Sequence, residues 1–529
     1  LMSLEVMFEI GAGPSQEEGE FGAFVMINNH IFDPGMAPDR TNEIYEFPHT
    51  AAAHSALMIL ESLGLIPELE HTWREDYERL RGNVPDRLKG IEGTVTTHTH
   101  LDHMGLLKYI AYHKPAYIPG TGIKIAWAWQ QTAGRTSNQN IDVHAHMALM
   151  ANTQGGVKFA DGDFATLPRN ITSIRDREVF RTGSLEIDPY LVDHSMLDAY
   201  SFYITDMEEG VTAAFTGDIK MRGRRPEKTH EFLDDLHRRG LDHLIMESSL
   251  LHFDHRGNEN DVREIFVREL RGRDHMTTDT PPRDFDRITS VYEACKELGI
   301  MFLVPPAIAF SLDVLNGAFG IPKMTDKNMG VIFPRKRRGI LGNDEFPRDL
   351  QLKDYNRMER FLLNRYHDWN GSHERKRQVV SLGEYTENQD RFLVYLPYAW
   401  MPAFYSEVDP NVDGNNVHLS SVPEGWTEDM ALTAERVVGL QERYGINKPR
   451  DIERKDFLNP EKISTQPRAH VPGHFNRDEV REILGRFRGT NTNIWVYHAA
   501  DPFYFESDVA QGLKLHIPVR RQRYILDAT

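Results

Sequence analysis

Residues 97–105 read Thr-His-Thr-His-Leu-Asp-His-Met-Gly, and this stretch restricts the fold more than any other in the chain. In an extended segment, side chains two apart point to the same side, so His98, His100 and Asp102 converge on one face. His103 follows where the chain turns toward a helix. Three imidazoles and a carboxylate within six residues form a donor set for a divalent metal. Imidazole suits borderline ions such as zinc, and carboxylate suits harder ones such as manganese. With 24 His in 529 residues, chance places such a cluster somewhere in a chain on the order of once in a few hundred. One cluster cannot fill two metal sites, so further donors must come from elsewhere.

Strand ends are where to look for them. Asp33 closes an apolar run before Pro34-Gly35. His194 stands in Val-Asp-His-Ser after a strand, and Asp218 ends Phe-Thr-Gly-Asp. Glu247 ends the apolar Leu244-Ile245-Met246. His474 follows Pro-Gly and lies two residues before Asn476, which has the spacing of a capping box with Glu479. His498 ends the run Ile494-Trp495-Val496-Tyr497. Singly, each of these is more often a structural residue. The set in this order is the signal.

The surrounding pattern alternates strands and helices, which indicates an α/β protein. A length of 529 residues suggests two or three domains. Residues 22–33 read as two short strands about the Asn28-Asn29 turn. Residues 91–97, 185–193, 211–216, 241–247 and 300–305 read as further strands. Leu106, Leu107, Ile110 and Ala111 predict an amphipathic helix after His103. Helices are also expected over 261–271, 286–298, 427–442 and 477–487, with Cys295 on the apolar stripe of the second. Residues 316–415, rich in charge, Pro and Gly, show no clear pattern. Gly11-Ala12-Gly13 reads as a turn, because Pro14, Gln16, Glu17 and Glu18 follow where a nucleotide-binding loop would start an apolar helix.

The net charge is −18, which weighs against a protein coated by nucleic acid. Local basic clusters are Arg222, Arg224 and Arg225; Arg335 to Arg338; and Arg520, Arg521 and Arg523. Each reads first as a solvated loop. A single cysteine rules out an internal disulfide. The longest apolar stretch, Ile300 to Phe310, contains Pro305 and Pro306 and is shorter than the ~20 residues of a spanning helix. Glu5 and Glu9 interrupt the first apolar residues, so no secretory leader is expected. A cytoplasmic location without a membrane partner is the expectation.

Taken in order, these residues resemble the signature of the metallo-β-lactamase fold: Asp33, then His98-x-His100-x-Asp102-His103, then His194, then Asp218. Later segments resemble its β-CASP branch, and within it the ribonuclease J family. Phe8-Glu9-Ile10-Gly11 resembles that family's opening. Asp193-His194-Ser195 with Asp198-Ala199, and Thr216-Gly217-Asp218 with Lys220, resemble its third and fourth metal motifs. Glu247-Ser248-Ser249 resembles the acidic β-CASP motif A. The helix at Arg287, followed by Ala294, resembles the start of the insert. Ala469-His470-Val471-Pro472-Gly473-His474 resembles motif B, and Val496-Tyr497-His498 resembles motif C. The chain departs from that family by extra sequence at about 40–85 and 125–180. It also lacks a clear Gly/Ser-rich phosphate loop, for which Ser381 to Glu384 is the nearest candidate, and only a short segment follows His498.

The resemblance implies an αββα sandwich built from residues 1–252 and 458–529, with a β-CASP α/β domain inserted over 253–457. It implies two divalent metal ions, zinc first and manganese as the alternative. One would be held by His98, His100 and His194, the other by Asp102, His103 and His498, with Asp218 bridging. Asp102, His474 and Glu247 would be catalytic, and Asp33 and Glu247 would orient ligand histidines. His474, at a helix start, would contact the scissile phosphate or protonate the leaving oxygen. In this family a His at motif C goes with RNA and an apolar residue with DNA, so His498 implies exo- or endonucleolytic cleavage of single-stranded RNA. Two other enzymes compete with that reading: a DNA nuclease of the same fold, and a small-molecule ester, lactone or phosphodiester hydrolase. A catalytically dead scaffold would have lost ligands, and every expected one is present.

Overall fold

The computed structural model of the chain describes residues 3–10, 23–36, 53–84, 86–132, 140–144, 149–151, 157–159, 166–248, 257–333, 352–367, 378–422, 428–446, 474–499 and 511–529. Two compact units emerge: Leu1–Asp254 with Gly473–Thr529, and His255–Pro472. The expected boundaries were 252/253 and 457/458. The segments at 11–13, 335–338 and 469–473, and Ser249, lie outside the described residues.

The first unit holds two seven-stranded sheets. The strands of these two sheets are β1 (Ser3–Ile10), β2 (Phe24–Ile27), β3 (His30–Phe32), β4 (Gly93–Val95), β5 (Ala116–Pro119), β6 (Ile171–Ile174), β7 (Phe180–Thr182), β8 (Leu185–Val192), β9 (Ala199–Asp206), β10 (Thr212–Phe215), β11 (His243–Ser248), β12 (Asn493–Ala499), β13 (Lys514–His516) and β14 (Arg523–Asp527). One sheet runs β6-β5-β4-β3-β2-β1-β14 and the other β7-β8-β9-β10-β11-β12-β13. In the first, β3 to β6 are parallel; in the second, β10 to β13 are parallel.

Side-chain alternation explains the layering. Ile245 joins the core between the sheets, together with Phe8, Phe32, Phe202 and Phe215. Its neighbours Leu244 and Met246 face the other way, onto Phe232 and Leu236 of the helix Pro226–Arg239 and Ile483 of the helix Arg477–Arg486. The outer face of the first sheet packs on Leu57 and Leu60 of the helix Ala53–Ser62, on Tyr77, and on the helix Gly120–Thr132. Strands buried on both faces have no room for a solvated side, so they read as continuous apolar runs. The order helix, sheet, sheet, helix is an αββα sandwich. The extra segments at 40–85 and 125–180 contribute to its first helical layer and to its edge strand β6.

Three aromatic residues from three strands meet inside this core. Phe215 stacks on Tyr497 with centroids 5.2 Å apart and packs on Phe32 at 5.6 Å. Each directly precedes a turn or bulge carrying a site residue: Asp33, Asp218 or His498.

One expectation fails here. In place of an amphipathic helix after His103, the chain makes one helical turn at Leu101–Met104 and a 3₁₀ turn at Leu107–Tyr109. Leu106 N–H donates 2.8 Å to Pro34 O instead of continuing the helix. Leu106, Leu107, Ile110 and Ala111 are all buried, so their spacing reported burial rather than helix.

The second unit contains a six-stranded sheet whose pairings are all parallel, in the order Val379–Val380, Met329–Ile332, Met301–Val304, Phe392–Tyr395, His275–Asp279, Asn416–Ser420. Arg287 is fully buried at the start of the helix Phe285–Leu298, where it donates to both Glu259 oxygens and to Ser421. Cys295 is buried in the same helix. Ser381, the nearest candidate for a phosphate loop, caps the helix Leu382–Glu387 by accepting from Glu384 N–H. That role accounts for its spacing. Among the described residues, no helix is long and apolar enough to cross a membrane.

Phe215→Ala should cost about 3–5 kcal/mol of stability. Because Phe215 lies below Asp218, the same change should weaken metal retention. Urea unfolding and a chelator competition would read the two effects.

Candidate metal centre

The donors gather at the C-terminal ends of strands in the first unit. β4 leads through Thr96 and Thr97 into His98 and His100, and the turn at Leu101–Met104 carries Asp102 and His103. His194 follows β8, and Asp218 follows β10. Glu247 lies within β11, and His474 lies just before the helix Arg477–Arg486. Gly217 makes the approach of β10 to β4 possible. Its φ is +56°, and a Cβ there would stand 2.6 Å from the Thr97 side chain. Gly35 is held as tightly, with Asp102 O where its Cβ would be.

His498 reaches the site through a β-bulge. Glu247 pairs with Tyr497 and Ser248 with Ala499, which leaves His498 as the extra residue. Its φ of 50° is left-handed, a conformation that a strand residue keeps only when its surroundings impose it. Asp33, at φ 52°, is bent in the same way.

Overlapping groups of donors result. His98 Nε2 lies 3.0 Å from His100 Nδ1, and His194 Nε2 lies 3.1 Å from the same nitrogen. Asp102, His103 and His498 form a second group. Asp218 stands between the two: its Oδ2 is 2.9 Å from His103 Nε2 and 3.9 Å from His98 Nε2, and its Oδ1 is 3.2 Å from His498 Nδ1. His474 Nδ1 faces Asp218 Oδ2 at 3.5 Å and Glu247 Oε2 at 3.3 Å.

A layer of hydrogen bonds orients these donors. Asp33 Oδ2 accepts from His103 Nδ1 at 2.8 Å. Thr97 donates its N–H and hydroxyl to Asp33, and the same hydroxyl lies 3.0 Å from His98 Nδ1. Glu247 Oε1 accepts from Ile219 N–H at 3.1 Å, which leaves Oε2 for His474. Such contacts fix which ring nitrogen faces a metal.

The electrostatics follow from burial. Burial, reinforced by neighbouring imidazoles, holds His98 and His194 well below the ordinary histidine range, so their nitrogens keep lone pairs. Burial lowers His103 too, but the carboxylates of Asp218, Asp33 and Asp102 outweigh it and raise His103 well above that range. Burial would raise Asp218; His103, His474 and His498 reverse this and hold it well below the carboxylate range. For His474, burial is outweighed by Asp218 and Glu247, which push it up to about 9.

The residues fit divalent metal ions. His103 Nε2 and Asp218 Oδ2 are buried and 2.9 Å apart, yet they lack the alignment of a hydrogen bond. Three imidazole nitrogens converge, two from the His98–His100 segment and one from His194, a meeting that a shared cation stabilises and mutual hydrogen bonding satisfies poorly. An αββα sandwich with such a His/Asp centre at its parallel strand ends agrees with the architecture that the sequence resemblance implied.

One site expectation changes. The helix start near His474 is not an open anion site: Asn476 accepts from Glu479 N–H, and the Glu479 carboxylate accepts from Asn476 N–H. A carboxylate already stands at that helix end, and Glu247 is what orients His474.

Sequence reasoning quoted Asp193 within the His194 motif and gave it no role of its own. Its carboxylate accepts from Gly223 N–H at 2.6 Å and Arg225 N–H at 3.1 Å, tying the loop after Asp218 to the His194 turn. Its place beside His194 was the only available signal. Of the basic clusters, Arg520 and Arg521 donate to the carbonyls of Gly64 and Ile66, and Arg523 pairs with Glu5.

No family model and no curated protein sequence matches the chain. Solved structures do. A protein of unknown function from Enterococcus faecalis V583 aligns with 99% of this chain and 100% of its own, at 14% identity and a TM-score of 0.62. That likeness shows a shared fold. Unliganded yeast PDE1 aligns with 48% of this chain and 77% of its own at 13% identity, with a TM-score of 0.27. The short form of human tRNase Z aligns with 47% and 79% at 15% identity, with a TM-score of 0.21. Neither of these two likenesses is close enough to bear on function.

Asp33→Asn replaces the oxygen that His103 Nδ1–H donates to with an amide donor. Metal affinity should fall about 10–100-fold, as read by chelator competition, with a much smaller change in the urea midpoint.

Proposed function

We propose that this chain is a metal-dependent phosphodiesterase that cleaves RNA. The observation that carries the reading is the pairing of two groups of donors across Asp218, with the His474 ring facing Asp218 and Glu247 beside them. The metal ions, zinc first and manganese as the alternative, would be held by His98, His100 and His194 and by Asp102, His103 and His498. When bound, they supply an acidified water and positive charge for the oxygens of a phosphoryl group.

The protein's own groups supply the rest. Asp102 and His474 are partly open, with side chains 24% and 20% exposed, whereas His103, Asp218 and Glu247 are fully enclosed. A substrate therefore meets Asp102 and His474 first. His474 holds a proton at neutral pH because two carboxylates face it, and it can give that proton to a leaving oxygen. Glu247 keeps its ring aimed. Asp33 and Thr97 hold His103 and His98 in their tautomers. RNA rather than DNA is favoured by His498, on the family resemblance, and we read the second unit as a β-CASP-like insert. The net charge of −18 favours a small-molecule hydrolase as the second reading.

The test is incubation with 5′-monophosphorylated and 5′-triphosphorylated single-stranded RNA and matching DNA, with zinc and then manganese. RNA cleavage that disappears in Asp102→Ala/His103→Ala supports the proposal. Absence of cleavage of any nucleic acid, with two metals bound, overturns it and brings forward the small-molecule reading.

His474→Ala should lower kcat by about 10²–10⁴-fold with metal content unchanged. His474 acts in its protonated form, so kcat should fall on the alkaline side. Glu247 raises the pKa of His474, so Glu247→Gln should move that alkaline limb to lower pH. A limb that stays in place would remove His474 as the acid.

A further inference from the structure

The loop between Asp218 and the helix Pro226–Arg239 is basic on an acidic body. Residues 220–228 carry Lys220, Arg222, Arg224, Arg225 and Lys228 against a single acid, Glu227, while the whole chain has a net charge of −18. The loop is held rather than loose. Asp193, next to His194, takes the Gly223 and Arg225 backbone N–H groups, and Lys220 N–H donates to Asp193 O at 2.8 Å. Arg222 and Arg225 are thereby held beside the donor cluster. Arg225 Nη2 lies 3.5 Å from His194 O, and Arg222 Nε lies 3.4 Å from Glu479 Oε1, on the segment that carries His474. The His194 and His474 rings are themselves 5.9 Å apart. Residues 222–225 are all half-buried, with part of each open to solvent.

Two other basic side chains lie away from the centre. Lys228 pairs with Glu231 at 2.8 Å, and Arg523 pairs with Glu5 at 3.0 Å. Neither adjoins the donors. Among the described residues, Lys220 and Arg222–Arg225 bring positive charge beside the donors: Lys220 is buried and acts on His194, and the arginines are the part open to solvent.

We propose that this loop grips a phosphate neighbouring the one being cleaved, so that the centre selects polyanionic strands over single phosphodiesters. The inference rests on the phosphodiesterase reading above and names what decides substrate size at that site. Guanidinium groups match phosphate oxygens in geometry and charge. A loop pinned at its backbone presents them without the ordering cost of a mobile one. The acidic remainder of the surface repels strands that approach elsewhere, which confines binding to this rim.

The experiment uses the full, metal-loaded chain. Arg224→Gln and Arg222→Gln/Arg224→Gln are compared with wild type, and Arg523→Gln removes the same charge at a remote site. The probes are a fluorescein-labelled single-stranded RNA, for anisotropy and cleavage, and bis(p-nitrophenyl) phosphate, a single phosphodiester. Metal content and urea midpoint are checked against wild type.

Arg224→Gln should weaken RNA binding by about tenfold, the loss expected of one charge-assisted hydrogen bond. Its kcat/KM for RNA should fall severalfold more than for bis(p-nitrophenyl) phosphate. The slope of log affinity against log salt should become shallower by about 0.7 for each phosphate that the loop no longer neutralises. Arg523→Gln should do none of this. Equal losses on both substrates, an unchanged salt slope, or the same effect from Arg523→Gln would overturn the loop's role while leaving the phosphodiesterase reading intact. Failure to hydrolyse either substrate would sink that reading instead, and the anisotropy series would still decide whether the loop holds RNA.

Discussion

The metal centre stands on the packing of Phe32, Phe215 and Tyr497. These three rings come from different strands in the two sheets, and each directly precedes a break in its strand. Stacking them fixes where β3, β10 and β12 end, and so fixes Asp33, Asp218 and His498 relative to one another. The strands could not deliver those residues to one place if the rings below were free to slide, because donors to a metal tolerate displacements of only a few tenths of an ångström. Backbone strain is accepted at the same level. Asp33 and His498 both adopt a positive φ, which costs on the order of 1–3 kcal/mol each and persists because the packed layer beneath leaves no alternative.

Above that layer, opposite charges are gathered out of water. Asp218 and Glu247 are fully enclosed, as are His98 and His103. Burying such groups is costly unless each has a partner, and here every carboxylate faces an imidazole or a backbone N–H. The same proximity separates the histidines into two kinds. His98 and His194 are surrounded mainly by other imidazoles and stay neutral; His103 gives its Nδ1–H to Asp33 and turns Nε2 toward Asp218, and His474 faces two carboxylates. A single cluster thus contains lone-pair donors and an imidazole placed to give a proton, which is the division of labour that the proposed hydrolysis needs.

Much of the site was legible in the chain. The two-residue spacing of His98, His100 and Asp102 is enough to put them on one face, and the capping box at Asn476 and Glu479 forms as its spacing required. Other parts were not legible. The apolar spacing of Leu106 to Ala111 was real, but it described which residues are buried; Leu106 bonds to Pro34 on another segment, a partner that local periodicity cannot see. Ser381 caps the helix Leu382–Glu387 by accepting from Glu384 N–H, a backbone partner that composition does not display. His474 was assigned to a helix terminus, when its orientation depends on Glu247, far away in sequence.

The order of donor types along the chain was determined by the sequence alone, because ligand chemistry resides in individual side chains and short-range spacing. So were the α/β class and the burial of Cys295, which follow from local periodicity. The meeting of Asp218 with His103 and His498, the bulge that turns His498 out of its ladder, and the anchoring of Arg222–Arg225 by Asp193 were decided only by the tertiary structure. Each depends on which strands become neighbours, and that is set by the packing of two sheets, a cooperative outcome that no short segment contains.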